Sequence, residues 1–78
     1  MQVTLYSRTG CHLCDEARAV LHAERARTPF ELVEVDIETS DALVAEYGVR
    51  IPVVALDGVE VFEYTVDPGE LASLVRGL

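Results

Sequence analysis

Cys11 and Cys14 are the only two cysteines among 78 residues, with His12 and Leu13 between them. A thiolate that attacks a disulfide becomes trapped as a mixed disulfide unless a second thiol stands close enough to release it, and this spacing supplies that thiol. Three other uses fit less well. As a structural staple the pair would close a tiny loop and constrain little of the unfolded chain. As zinc ligands the cysteines would need two further donors for a closed site, and His12 is the only nearby candidate. As two small buried hydrophobes they would need no fixed spacing. The residues point to redox exchange, with Cys11 attacking and Cys14 resolving.

Such a thiol needs a structure that favours its anion, and the unpaired amides at the start of a helix do so. The flanking sequence supplies that setting. Val3 to Tyr6 is a short β-branched and aromatic run that stops at Ser7-Arg8-Thr9-Gly10. From Leu13, the positions Leu13, Ala17, Val20 and Leu21 predict an amphipathic helix to about Ala26, before Pro29. Cys11 therefore falls at the helix entrance and Cys14 one turn further in. Arg8 would add positive charge beside them, whereas Asp15 and Glu16 favour the helix but compete with a thiolate.

The remaining elements follow from periodicity. Phe30, Leu32, Val33, Val35 and Ile37, with acids interleaved, predict a half-solvated strand. Thr39-Ser40-Asp41 offers caps for a short helix through Leu43, Val44 and Tyr47, with Gly48 as its left-handed exit. Arg50-Ile51-Pro52 precedes a strand over Pro52–Leu56, and Asp57-Gly58 turns it into a second strand over Val59–Phe62. Asp67-Pro68-Gly69-Glu70 is an N-cap, a first-position proline and an acid, and Leu71, Leu74, Val75 and Leu78 follow at helical spacing. Tyr6 and Tyr64 read as strand packing residues, and the scattered glutamates as solvated faces. The order β-α-β-α-β-β-α predicts an α/β domain over residues 1–78 with one mixed four-stranded sheet flanked by three helices.

Composition narrows the partners. Fourteen acids against six arginines and no lysine give a formal charge of −8, which disfavours nucleic acid and anionic lipid. No apolar run approaches the roughly 20 residues of a membrane span, and the first residues lack the pattern of a signal peptide. The expectation is a cytoplasmic monomer with a modest core, since a chain this short buries only roughly 60 to 65% of its unfolded surface.

A CxxC opening the first helix, with Arg50-Ile51-Pro52 before the third strand, resembles the glutaredoxin branch of the thioredoxin superfamily. The run from Leu5 to Ala17 resembles a group of small bacterial glutaredoxin-like proteins. The resemblance spans nearly the whole chain and implies a thioredoxin/glutaredoxin fold. It also implies a cis Pro52 beside the cysteines and an Ile51 backbone that pairs with an extended substrate. Arg8, His12, Leu13, Arg50, Ile51, Pro52 and Asp67 are then the candidate substrate-binding residues, with no resident metal or cofactor.

This sequence also departs from that family. His12-Leu13 stand where glutaredoxins often have Pro-Tyr. Aligned on Leu71, Val66-Asp67 stand at the usual glycine pair and Glu70 near the usual Asp, and a carboxylate at Asp67 would repel a glutathione carboxylate. The leading expectation is reduction of protein or small-molecule disulfides, with glutathione or a reductase supplying electrons. The alternatives are a metal or iron–sulfur cluster shared between two chains, with glutathione supplying ligands, and a non-catalytic interaction module of the same fold.

Overall fold

In a computed structural model, which describes residues 1–77, the elements are β1 (Gln2–Ser7), α1 (His12–Arg27), β2 (Glu31–Asp36), a short 3-10 turn (Ile37–Thr39), α2 (Asp41–Tyr47), β3 (Val53–Leu56), β4 (Val59–Glu63) and α3 (Pro68–Arg76). The sheet order is β2-β1-β3-β4. β1 runs parallel to β2 and antiparallel to β3, and β3 is antiparallel to β4. This is the mixed four-stranded sheet with three α-helices that the hydrophobic patterning predicts.

The pleat of β1 sorts its side chains. Val3, Leu5 and Ser7 are buried and alternate with the half-buried Thr4 and Tyr6. Val3 and Leu5 meet Ala17 and Leu21 of α1, Val54 of β3, Phe62 of β4, and Leu71 and Val75 of α3 in the main core. Tyr6, on the opposite pleat, stacks on Tyr47 of α2 with ring centroids 4.1 Å apart. α1 and α3 thus cover one face of β1, and α2 lies over the other. Val53, Val54 and Ala55 are all buried because β3 is an interior strand covered on both sides.

Local chemistry explains the joints. Asp67 caps α3, its Oδ1 accepting from the amides of Gly69 at 2.9 Å and Glu70 at 3.4 Å, with Pro68 in the first turn as expected. Asp57 and Gly58 both have positive φ, +48° and +86°, which places the β3–β4 connection in a turn whose twist matches the strands. Asp57 also clips the turn to β1: its Oδ1 accepts from the Gln2 amide, and its own amide donates to the Gln2 carbonyl, both at 2.8 Å.

Several expectations need correction. Ile37 is not the end of β2; it turns inward in the 3-10 segment and is fully buried. Gly48 does not adopt the left-handed form (φ −53°, ψ −34°). Its requirement is space, since a Cβ there would meet the Val44 carbonyl oxygen at 2.5 Å. Ser40 occupies the N-cap of α2 but its hydroxyl makes no capping bond. β4 carries an irregularity: Val54 pairs with Phe62 and Ala55 with Glu60, leaving Val61 as the extra residue of a bulge. Tyr64 lies outside the strands, half exposed at φ +67°, and donates its hydroxyl to the Val49 carbonyl. Leu74 stays substantially exposed while Leu71 and Val75 are buried, and Leu78 lies outside the described residues.

Not every glutamate is a solvated surface group. Glu24 is 4% exposed, and its carboxylate accepts from the Thr28 hydroxyl at 2.8 Å and from Arg76 at 3.1 and 3.3 Å, tying α1 to α3. The Thr28 hydrogen bond first, then Arg76 and Arg27, hold its carboxyl below the ordinary value despite burial. At Glu34 the Arg18 fork, followed by the Ser7 hydroxyl, acts in the same direction.

A depressed folded-state pKa contributes stability that is complete above the unfolded value and is lost as pH falls through the folded one. We therefore expect the urea midpoint to hold near neutrality and to drop as pH goes below the ordinary glutamate value of 4.5. The double variant Glu24→Gln and Glu34→Gln should start less stable and show a flatter acid limb. Equal acid sensitivity in the two proteins would refute these two carboxylates as its source.

Candidate functional site

β1 delivers the chain to the dithiol. Its last residue, Ser7, is buried and donates its hydroxyl to Glu34 Oε2 at 2.8 Å, which anchors the end of the strand to β2. After the Thr9-Gly10 turn, Cys11 adopts extended backbone angles (φ −94°, ψ 109°) as the N-cap of α1. Its carbonyl accepts the Asp15 amide at 3.1 Å, and its sulfur accepts the Cys14 amide at 3.2 Å. The group that caps the helix is therefore the sulfur itself. Helix-terminal amide donors and the positive end of the helix dipole favour a sulfur anion in that position.

Cys14, one turn in, is fully buried, whereas Cys11 is partly exposed. The two are joined as a disulfide with Cα atoms 5.1 Å apart. Cys14 packs with Ile37 and Ile51, and Tyr6, Leu43 and Tyr47 close the cluster around both cysteines. An apolar floor of this kind raises the cost of a charged sulfur at Cys14 and leaves Cys11 as the sulfur open to attack.

The β3 approach forms the second wall. The Ile51–Pro52 peptide is cis, as the family resemblance implies. Pro52 is buried, its carbonyl accepts the Tyr64 amide at 2.9 Å, and Ile51 packs on the Cys14 cluster. Among the described residues the Ile51 N–H and C=O have no backbone partner.

The other candidates divide. Leu13 stands at the rim, 39% exposed. Arg8 is exposed, lines a cavity of about 260 Å³ with Thr9, Asp15 and Asp36, and has no ion-pair partner among the described residues. His12 points to solvent, its side chain 89% exposed and 3.5 Å from Glu16. Arg50 is engaged within the protein. Its guanidinium lies over the Tyr47 ring and bonds Glu60 at 2.8 Å, Glu46 at 3.2 Å and Glu63 at 3.3 Å, which hold it firmly charged. Asp67 is occupied as the α3 cap.

Sequence reasoning missed the floor of the site, made by Ile37, Leu43, Tyr47 and the inner side of Tyr6. The neighbouring Tyr6 hydroxyl, burial, and the carboxylates of Glu60 and Glu46 push the Tyr47 phenol up to about 12, so it stays protonated at neutral pH. The available signal was the parity of Tyr6 against Leu5 and the four-residue spacing of Leu43 and Tyr47. Among the described residues no group of three His, Cys, Asp or Glu side chains gathers to hold a metal ion, and no helix is long and apolar enough to cross a membrane.

Comparison with known proteins agrees with this geometry. A family model described as a glutaredoxin-like domain matches residues 2–76. An uncharacterized protein of Mycobacterium tuberculosis is 33% identical over 75 residues, covering 90% of this chain and 77% of its own length. The X-ray structure of a structural-genomics target protein from X. campestris superimposes with a TM-score of 0.80 at 32% identity, covering 97% of both chains. A mutant thioredoxin from Halobacterium salinarum gives a TM-score of 0.68 at 25% identity, over 97% of this chain and 72% of that one. With its dithiol at a helix entrance, Ile51 of a cis Ile51–Pro52 peptide packed against Cys14, and a thioredoxin-type sheet, the chain belongs to the glutaredoxin-like domain family of the thioredoxin superfamily.

Proposed function

We propose that the protein is a dithiol thiol–disulfide oxidoreductase that reduces disulfides in other molecules. The observation that carries the reading is the Cys11 sulfur serving as helix cap, 3.2 Å from the Cys14 amide, with Cys14 buried behind it. In the reduced protein the Cys11 thiolate attacks a substrate disulfide, forming a Cys11–substrate bond and expelling the first substrate sulfur as a thiolate that takes up a proton. Cys14 then gives up its proton and attacks the Cys11 sulfur, closing the protein disulfide and releasing the second substrate sulfur, which is protonated in turn. Two electrons and two protons pass to the substrate, and the protein ends oxidised. A thiol reductant, either glutathione or a dithiol reductase, restores it.

In this reading the Ile51 backbone pairs with an extended substrate segment, Leu13 flanks it, and Arg8 supplies positive charge near Cys11. Pro52 shapes the wall that presents Ile51. The protein acts as a monomer in the cytoplasm, a compartment reducing enough to keep such a pair in its thiol form.

Reduced protein should turn over insulin and a small disulfide when coupled either to glutathione with its reductase or to a thioredoxin-type reductase. The better coupling identifies the electron donor. Each single turnover should consume two thiols per chain. Exchange no faster than that of an unstructured peptide carrying the same four residues, in both couplings, would defeat the proposal.

A further inference from the structure

The surface beside the dithiol has a distinct chemical character. Leu13, Ala17 and Val20 on α1 face Tyr64, Val66 and Pro68 across a groove of about 140 Å³. Val20 and Pro68 also border an adjoining hollow of about 340 Å³ that continues along α1 to Ala23 and Arg27. From Leu13 to Ala23 the helix advances about 15 Å, the length of an extended segment of about four or five residues. The lining is mostly apolar, and Leu13 and Tyr64 remain exposed along it.

Where the groove reaches the dithiol, the one charged side chain in its lining is a carboxylate. Glu16 lines the groove with its side chain 61% exposed, and among the described residues its one ion-pair contact is the exposed His12. Asp67 and Glu70 follow at the start of α3, both exposed. The neighbouring cations are engaged by carboxylates: Arg18 by Asp15 and Glu34, Arg50 by Glu46, Glu60 and Glu63, and Arg27, at the far end of the adjoining hollow, by Glu24. Arg8 opens onto the separate cavity that includes Ser7 and Asp36. The chain as a whole carries −8.

We infer that this groove receives an extended, apolar polypeptide segment carrying Lys or Arg next to its disulfide, so that the preferred substrate is a basic-flanked protein disulfide. The inference rests on the oxidoreductase reading and specifies its substrate. A cationic segment is drawn to the carboxylate rim, and its apolar side chains fill the groove alongside Leu13. A glutathione disulfide brings two carboxylates against one ammonium in each half and meets net repulsion. Attraction of this kind acts mainly on the rate of encounter and fades with salt.

The test uses two disulfide peptides of identical apolar core, one flanked by lysines and one by glutamates, with kcat/KM measured for the fully reduced protein at low and high ionic strength. The lysine peptide should be preferred about tenfold at low salt, and the ratio should shrink toward unity at about 0.5 M salt. Glu16→Lys should narrow or invert the ratio. Because both peptides are read on the same enzyme, a change in thiol acidity cancels from it. Leu13→Ser should slow both peptides and leave the ratio in place. Efficient reduction of both peptides with no preference, or a preference indifferent to salt, overturns the inference while leaving the oxidoreductase reading intact. Failure to reduce either peptide or a small disulfide overturns both.

Discussion

Cys11→Ser is expected to bring disulfide reduction down to the uncatalysed background while leaving the fold and melting temperature nearly unchanged. The two halves of this expectation have separate causes. Cys11 is the partly exposed member of the pair and the only sulfur an incoming disulfide can reach, because Cys14 is fully buried beneath it. Serine is a preferred N-cap, and its oxygen can accept the Cys14 amide as the sulfur does. The helix should therefore survive the substitution that removes the chemistry. Cys14→Ser should behave differently, accumulating a covalent Cys11–substrate adduct after one turnover when no glutathione is present to release it. Mass spectrometry of the intact protein reads that adduct directly. Turnover by Cys11→Ser near the wild-type rate would falsify the assignment of the nucleophile.

The second large effect is on stability. Leu21 is fully buried at the centre of α1, in a core that includes Val3, Leu5 and Leu71. Leu21→Ala removes three carbons and leaves a cavity that rigid neighbours on β1 and α3 close only in part, at a cost of about 2–5 kcal/mol. A chain of this length has a total stability of about 4–12 kcal/mol, so the loss ranges from about a sixth of it to the whole. With a urea dependence of about 1 kcal/mol per molar, the midpoint should fall by about 2 M or the protein should be unfolded at the outset. A midpoint within about 0.5 M of the parent, at unchanged slope, would show that the site collapses around the smaller side chain.

The order of elements and the dithiol were legible because each rests on local chemistry. The Asp57-Gly58 turn, the Asp67-Pro68 cap and the Leu13, Ala17, Val20, Leu21 stripe are short-range signals, and the structure places each where its chemistry predicts except Leu13, which stays exposed at the rim of the site. What was not legible depends on residues distant in the chain. Glu24 looked like a surface acid because its partner Arg76 comes 52 positions later. Arg50 looked free to bind substrate because Glu60 and Glu63 reach it only once the β3–β4 hairpin has folded. Gly48 was misread because its need is room beside the Val44 carbonyl, whereas sequence suggests only its freedom of backbone angle. The apolar cluster around Cys14 required knowing that Ile37 and Tyr47 meet Ile51, and periodicity does not show this.

The clasp between Gln2 and Asp57 joins positions 55 apart and sits on the same strand that leads to Cys11. During biosynthesis the dithiol leaves the ribosome long before the turn that pins its supporting strand. For that interval β1 lacks its β3 neighbour, and closing so wide a loop is entropically costly and slow compared with coiling α1. The reactive pair is therefore born ahead of its mature surroundings, and its exchange behaviour should ripen only when the last third of the polypeptide arrives.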